Sequence, residues 1–171
     1  PWAWSATVPT VLLIALMARH GFATHLLGWQ VFGTTVVSIW AWALAGIALG
    51  LSIPLAVAAP LALATPLAWA IFPPGMSIYW LRHLTGEWTE CCSVAQTLDP
   101  AVVTGTAAVN LGLLLASGLA VQARVVRKGR NLLLTTSIVV LASGLVGGAY
   151  QVNHMDAFPT RPREMAPTCR P

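Results

Sequence analysis

Two long apolar runs separated by a short basic turn constrain this chain more than any other feature. The runs cover residues 101–123 and 132–150, and neither contains a charged side chain. An α-helix needs about 20 apolar residues to cross a hydrocarbon core of about 30 Å. Both runs therefore predict membrane-spanning helices, which the basic turn joins.

The charge of that turn predicts the orientation of the whole protein. Residues 124–130 contain four cations, and short loops rich in Lys and Arg stay on the cytoplasmic side of a membrane. Counting spans outward places loop 73–100 and the C-terminal tail 151–171 on the external side. The tail also carries arginines, but they lie farther from the membrane and are accompanied by Asp156 and Glu164.

Composition supports a membrane protein and argues against nucleic acid as a partner. Hydrophobic residues make up 57% of the chain and charged residues 8%, whereas about 25% of a soluble domain is charged. The net charge of +4 lacks the density of a nucleic-acid-binding surface. Arginine outnumbers lysine, as in proteins from GC-rich bacterial genomes. We therefore expect the lipid bilayer of a bacterial plasma (inner) membrane as the surroundings.

Three further apolar runs complete the predicted fold. Residues 26–50 and 53–72 are long enough to cross, while residues 2–18 are of marginal length. A secretory signal is the alternative for the first run, although the basic segment that begins such signals is not present. The predicted fold class is all-α: a polytopic transmembrane helical bundle of about five spans forming a single integral membrane domain, or four spans if residues 1–18 do not cross.

Prolines mark particular points along these spans. A Pro-Leu-Ala triplet recurs at Pro54, Pro60 and Pro66, and each interior proline frees a backbone carbonyl that lipid cannot satisfy. We expect this span to be bent and packed inside protein, either as a hinge or cavity lining or simply as a kinked helix. Asp99 and Pro100 predict the start of the next span, with Asp99 as cap.

The three cysteines, Cys91, Cys92 and Cys169, all fall on the predicted external face. That face is an oxidising environment in most bacteria. A disulfide from Cys169 to Cys91 or Cys92 would tie the tail to loop 73–100 and leave one thiol over. Adjacent cysteines do not have the C-x-x-C spacing of a dithiol oxidoreductase, which disfavours catalytic disulfide exchange.

The histidines fall on the same face and raise the possibility of a cofactor. His20, His25 and His154 are the candidates for haem ligands, and His83 with the Cys91–Cys92 pair could bind copper or zinc. No pair has the spacing of a strong metal motif. Isolated histidines at the membrane interface are the alternative interpretation.

Small residues recur at helical spacing within the spans, which is typical of closely packed membrane helices. The positions selected for helix packing are Gly46, Gly50, Ala108, Gly112, Ala116, Gly144 and Gly148. Such stripes could be satisfied within one bundle or could dock another subunit or a second copy of the chain. Asn110 is predicted to hydrogen-bond to a neighbouring helix, with a polar path through Gln30, Asn110 and Gln122 as the alternative.

Three functional hypotheses follow. No complete catalytic motif is present in the sequence, so the leading one is a non-catalytic accessory or assembly subunit of a larger membrane complex. The second is a membrane redox or metal protein that binds haem or copper through external His and Cys residues. The third is a channel or carrier with a polar path near Asn110.

Overall fold

The computed structural model describes residues 29–86, 96–126, 129–153, 155 and 160–162. Its long helices are α1 (Trp29–Gly50), α2 (Leu55–Ile71), α4 (Pro100–Val125) and α5 (Arg130–Val152). Between α2 and α4 lie a 3₁₀ turn (Pro73–Gly75), the short helix α3 (Tyr79–Leu84) and the strand β1 (Gln96–Leu98). The strand β2 (Thr160–Pro162) follows α5. The four long helices are apolar enough to cross a membrane. The predicted all-α class is confirmed, and the predicted span 2–18 lies outside the described residues.

Local chemistry explains where α4 and α5 begin. The Oδ1 atom of Asp99 accepts a hydrogen bond of 2.8 Å from the backbone N–H of Ala101, and Pro100 occupies the first turn, where its missing N–H costs nothing. This confirms the predicted helix start. Gly129 precedes α5 with a φ of 80°, a left-handed conformation that glycine adopts without strain.

Helices α4 and α5 pack backbone against backbone through glycines. A Cβ added to Gly112 would lie 2.9 Å from the Cα of Gly144, and one added to Gly148 would lie 2.8 Å from the carbonyl oxygen of Gly105. The hydroxyl of Ser137 on α5 also donates a 2.8 Å hydrogen bond to the carbonyl of Ala116 on α4. Of the four long helices, α4 has the most buried residues among those described, and α5 packs on one side of it.

Helix α1 packs against α4, and α2 packs mainly against α1. Among the described residues of α2, Ala58 alone is buried. The sequence predicted a helix packed inside protein, whereas α2 lies at the edge of the described bundle. Because α2 is apolar on every side, its sequence cannot distinguish a lipid-facing side from a protein-facing one.

Helix α3 closes one end of the bundle by packing on both α4 and α5. Leu84 is 1% exposed and forms a core cluster with Val109 and Val152. Beside this cluster, β1 pairs antiparallel with β2, with Leu98 opposite Thr160. The paired strands therefore join loop 73–100 to the C-terminal tail at one end of the helices.

Candidate functional site

A polar cavity of about 410 Å³ lies between α1, the residues that follow α3, and α4. Most of its lining side chains carry a hydroxyl or an amide, and two form an apolar wall. The lining residues are Thr34, Thr35, Ser38, Ile39, Trp42, Thr85, Gly86, Thr106 and Asn110. This concentration of polar groups between membrane-spanning helices makes the cavity the principal candidate site.

Helical periodicity brings these polar groups together. On α4, Thr106 and Asn110 are four residues apart and so lie on one face. Thr34, Ser38 and Trp42 have the same spacing on α1. The two faces meet where α1 packs against α4. The cavity thus results from the i, i+4 placement of polar residues on two neighbouring helices.

Asn110 is a buried polar group of this site. Its side chain is 5% exposed, and its Nδ2 donates a hydrogen bond of 3.1 Å to the backbone carbonyl of Thr106. Within the described part of the chain, Oδ1 of Asn110 accepts no hydrogen bond. Asn110 was predicted to hydrogen-bond to a neighbouring helix. Among the described residues, its amide donates instead to a carbonyl of its own helix. A buried polar group left without a partner costs about 1–3 kcal/mol.

A second buried hydrogen bond fixes the edge of the cavity. The hydroxyl of Thr106, which is 2% exposed, donates to the backbone carbonyl of His83 at 3.0 Å. This bond joins α3 to α4 and positions Thr85 and Gly86 over the cavity. The hydrogen bond to α3 thus holds the residues that follow this helix in the wall of the site.

The described lining of the cavity is uncharged, and the cavity lies in one half of the bundle. Among the residues that the structure describes, the nine that line it include no Asp, Glu, Lys, Arg or His. Thr106 and Asn110 lie six and ten residues beyond Pro100, which places them about 9 and 15 Å from the start of α4. The site is therefore in the half of the membrane span next to loop 73–100.

An apolar groove of about 510 Å³ lies on the other side of Trp42, between α1 and α2. The groove is lined by Trp42, Ala45, Leu49, Thr65, Ala68, Trp69, Phe72 and Pro73. Thr65 uses its hydroxyl within α2, donating to the carbonyl of Leu61 at 2.6 Å. The groove therefore presents apolar surface, in contrast to the polar cavity beside Asn110.

The residues predicted for helix packing have different surroundings. Gly112, Gly144 and Gly148 lie at the contact of α4 with α5, and a Cβ added to Gly144 would lie 2.9 Å from the carbonyl oxygen of Ala108. The remaining three positions differ among themselves: Ala116 is 4% exposed, a Cβ added to Gly46 would lie 3.5 Å from the Cβ of Ala62, and one added to Gly50 would meet nothing within 4 Å.

Two contributors to this contact were missed in the sequence. Gly105 lies seven residues before Gly112 and hence on the same face of α4, so helical periodicity gave a signal for it. Ser137 carried no comparable signal, because its bond to Ala116 depends on how the two helices are placed relative to each other.

The predicted cofactor ligands are mostly outside the described residues. This holds for His20, His25, His154, Cys91, Cys92 and Cys169. His83 is described and is 1% exposed. Among the residues that the structure describes, no three His, Cys, Asp or Glu side chains are grouped as metal ligands would be. Haem or copper binding stays a prediction.

The predicted polar path is only partly within the described structure. Asn110 lines the cavity, whereas Gln122 is exposed on α4, twelve residues farther along the helix. The side chain of Gln30 lies outside the described set. A channel or carrier function therefore also stays a prediction.

Comparisons with known proteins identify no relative of this chain. No known protein family, curated protein or solved structure matches it. The case for any function therefore rests on the chain's own residues and their arrangement.

Proposed function

We propose that this multi-pass membrane protein is a non-catalytic accessory or assembly subunit of a larger membrane complex. The observation that supports the proposal is the position of α2. This helix packs mainly on α1, and among its described residues Ala58 alone is buried. A long face of α2 is thus left for contact with something other than the described part of the chain.

The prolines of α2 favour protein over lipid as that contact. Pro60 has no N–H, so it cannot donate the usual helical hydrogen bond to the carbonyl of Ala56. Ala56 and Pro60 are both exposed, as is Leu63, three residues farther along the helix, at 76%. In hydrocarbon a backbone carbonyl without a partner costs on the order of a few kcal/mol. A polar side chain from a partner helix would satisfy it.

The proposed setting is the plasma (inner) membrane of a bacterium, with residues 124–130 in the cytoplasm. Four cations in that turn support this orientation through their preference for the cytoplasmic side. Loop 73–100 and tail 151–171 are then external. The pairing of β1 with β2 supports a common side for the loop and the tail, because it joins them at one end of the bundle.

Photo-crosslinking in native membranes tests the subunit role. A photoreactive amino acid at Leu63, on the exposed face of α2, is compared with the same amino acid at Ile138, which is 69% exposed on α5. We expect the probe at Leu63 to link the chain to a second membrane polypeptide, identified by its peptides, and the probe at Ile138 to label chiefly lipid.

Four results would contradict the proposal. The first is a Leu63 probe that labels only lipid, and the second is one that labels only residues 1–28 of the same chain. The third is a protein purified in mild detergent that is monodisperse, has no partner and is catalytically active by itself. A second copy of the chain as the only crosslinked product would indicate self-association instead of a larger complex.

A further inference from the structure

We propose that the cavity beside Asn110 is a binding site for a small uncharged molecule that carries an amide or hydroxyl group. The inference goes beyond the proposed subunit role and does not depend on it, because the cavity is formed by α1, the residues that follow α3, and α4, whereas the subunit role rests on the face of α2.

The amide of Asn110 supplies the recognition groups. A carboxamide has two donor hydrogens and an oxygen with two lone pairs, and Asn110 uses one donor on Thr106. Within the described structure its Oδ1 accepts no hydrogen bond, although the side chain is 5% exposed. Asn110 therefore offers an acceptor and a donor side by side. An amide or hydroxyl group of a ligand is complementary to both.

A second group points to the same ligand chemistry. Ser38 lies on the α1 side of the cavity, across from the α4 residue Asn110. Its hydroxyl makes no hydrogen bond to any residue that the structure describes, and a hydroxyl can both donate and accept. A ligand held between Ser38 and Asn110 would contact two helices at once.

The described lining disfavours a charged ligand. None of the nine lining residues that the structure describes is ionisable at neutral pH, so an ion beside them would lose its hydration without gaining an opposite charge. Ile39 and Trp42 add an apolar wall, which favours a ligand with an apolar flank over water alone. The volume of about 410 Å³ lies within the range of roughly 300–1,000 Å³ that is usual for small-molecule sites.

Binding of 4-fluorobenzamide to the full chain in lipid nanodiscs, followed by ¹⁹F NMR, tests the proposal. Two analogues of similar shape serve as comparisons: 4-fluorobenzoate is charged, and 4-fluorotoluene lacks the hydrogen-bonding group. We expect saturable binding of the benzamide and affinities about tenfold or more weaker for both analogues. Equal affinity for the benzamide and the toluene, or no saturable binding of the benzamide, would overturn the proposal.

Variants locate the binding to the cavity. Asn110→Leu keeps the approximate shape of the side chain and should weaken benzamide binding about tenfold or more. Asn131→Leu makes the same chemical change at an exposed residue of α5 and should leave the affinity unchanged. Ser38→Ala removes one hydroxyl and should weaken binding severalfold even if Asn110→Leu does not fold. Two results would refute the site. The first is an affinity for the benzamide that is unchanged both in Ser38→Ala and in a correctly folded Asn110→Leu. The second is an affinity that falls as much in Asn131→Leu as in Asn110→Leu.

Discussion

Gly112 of α4 faces Gly144 of α5 so closely that a Cβ added to Gly112 would lie 2.9 Å from the Cα of Gly144. The neighbouring atom is backbone, so it cannot rotate away as the end of a side chain would. Without a hydrophobic driving force between helices in lipid, this close approach provides van der Waals contact that holds α4 and α5 together. At position 112, the size of the side chain therefore determines the stability of the bundle.

Replacing Gly112 with alanine should destabilise the bundle, because the new methyl group has to push two backbones apart. We expect a loss of about 1–3 kcal/mol in the free energy of unfolding, measured by SDS titration in mixed micelles. Gly118→Ala is the matched control on the same helix, since a Cβ there meets nothing within 4 Å. Equal stability of the two variants would contradict the backbone contact.

Replacing Thr106 with valine should loosen α3 from α4. The change keeps the shape of the side chain and removes the hydroxyl that donates to the carbonyl of His83. We expect a loss of about 0.5–1.5 kcal/mol and faster hydrogen exchange in residues 79–84, measured by mass spectrometry. Thr104→Val is the control, because Thr104 is exposed and donates only within its own helix. Unchanged exchange in Thr106→Val would show that this bond does not hold α3.

A disulfide between the tail and loop 73–100 is the third prediction. β1 and β2 pair these two segments; Cys92 is four residues before Gln96 and Cys169 is seven residues after Pro162. Extended chains of these lengths reach about 14 and 25 Å, which is ample for a bond between them. Peptide mapping without reductant should link Cys169 to Cys91 or Cys92, and Cys169→Ser should abolish the linked peptide. A free Cys169 thiol in protein isolated under oxidising conditions would contradict it.

The orientation can be tested by thiol labelling of intact cells. In a chain whose native cysteines are replaced by serine, Val126→Cys should react only with membrane-permeant maleimides, because the turn is expected in the cytoplasm. A chain that retains only Cys169 should react with impermeant maleimides as well. The opposite pattern would invert the topology and move every predicted external residue to the cytoplasmic side.

The helices were predictable from the sequence because length and hydropathy determine them. Which helices pack against each other was not predictable. The start of α4 followed from the chemistry of Asp99 and Pro100 alone. The position of α2 at the edge did not, since Leu63 and Leu67 are as apolar as a buried residue would be. In a membrane, both lipid and protein interiors select apolar side chains, so hydropathy carries little information about packing.

The candidate site was predictable only in part. Asn110 was selected as an unusual polar residue within a span, and it does line the cavity. Its partners on the opposite wall, Ser38 and Trp42, had no signal of their own, because the cavity depends on which faces of α1 and α4 meet. The role of Thr106 also depended on a contact with the distant backbone of His83.

The pairing of β1 with β2 has a consequence for biogenesis. β1 precedes α4, but its partner strand follows α5, so the ribosome releases β2 only after both membrane helices have been synthesised. Synthesis of the tail must therefore come before the two strands can join. The end of the protein that holds the polar cavity is consequently the last part to be completed, and a chain that stops before Thr160 would insert its helices yet leave β1 without its partner.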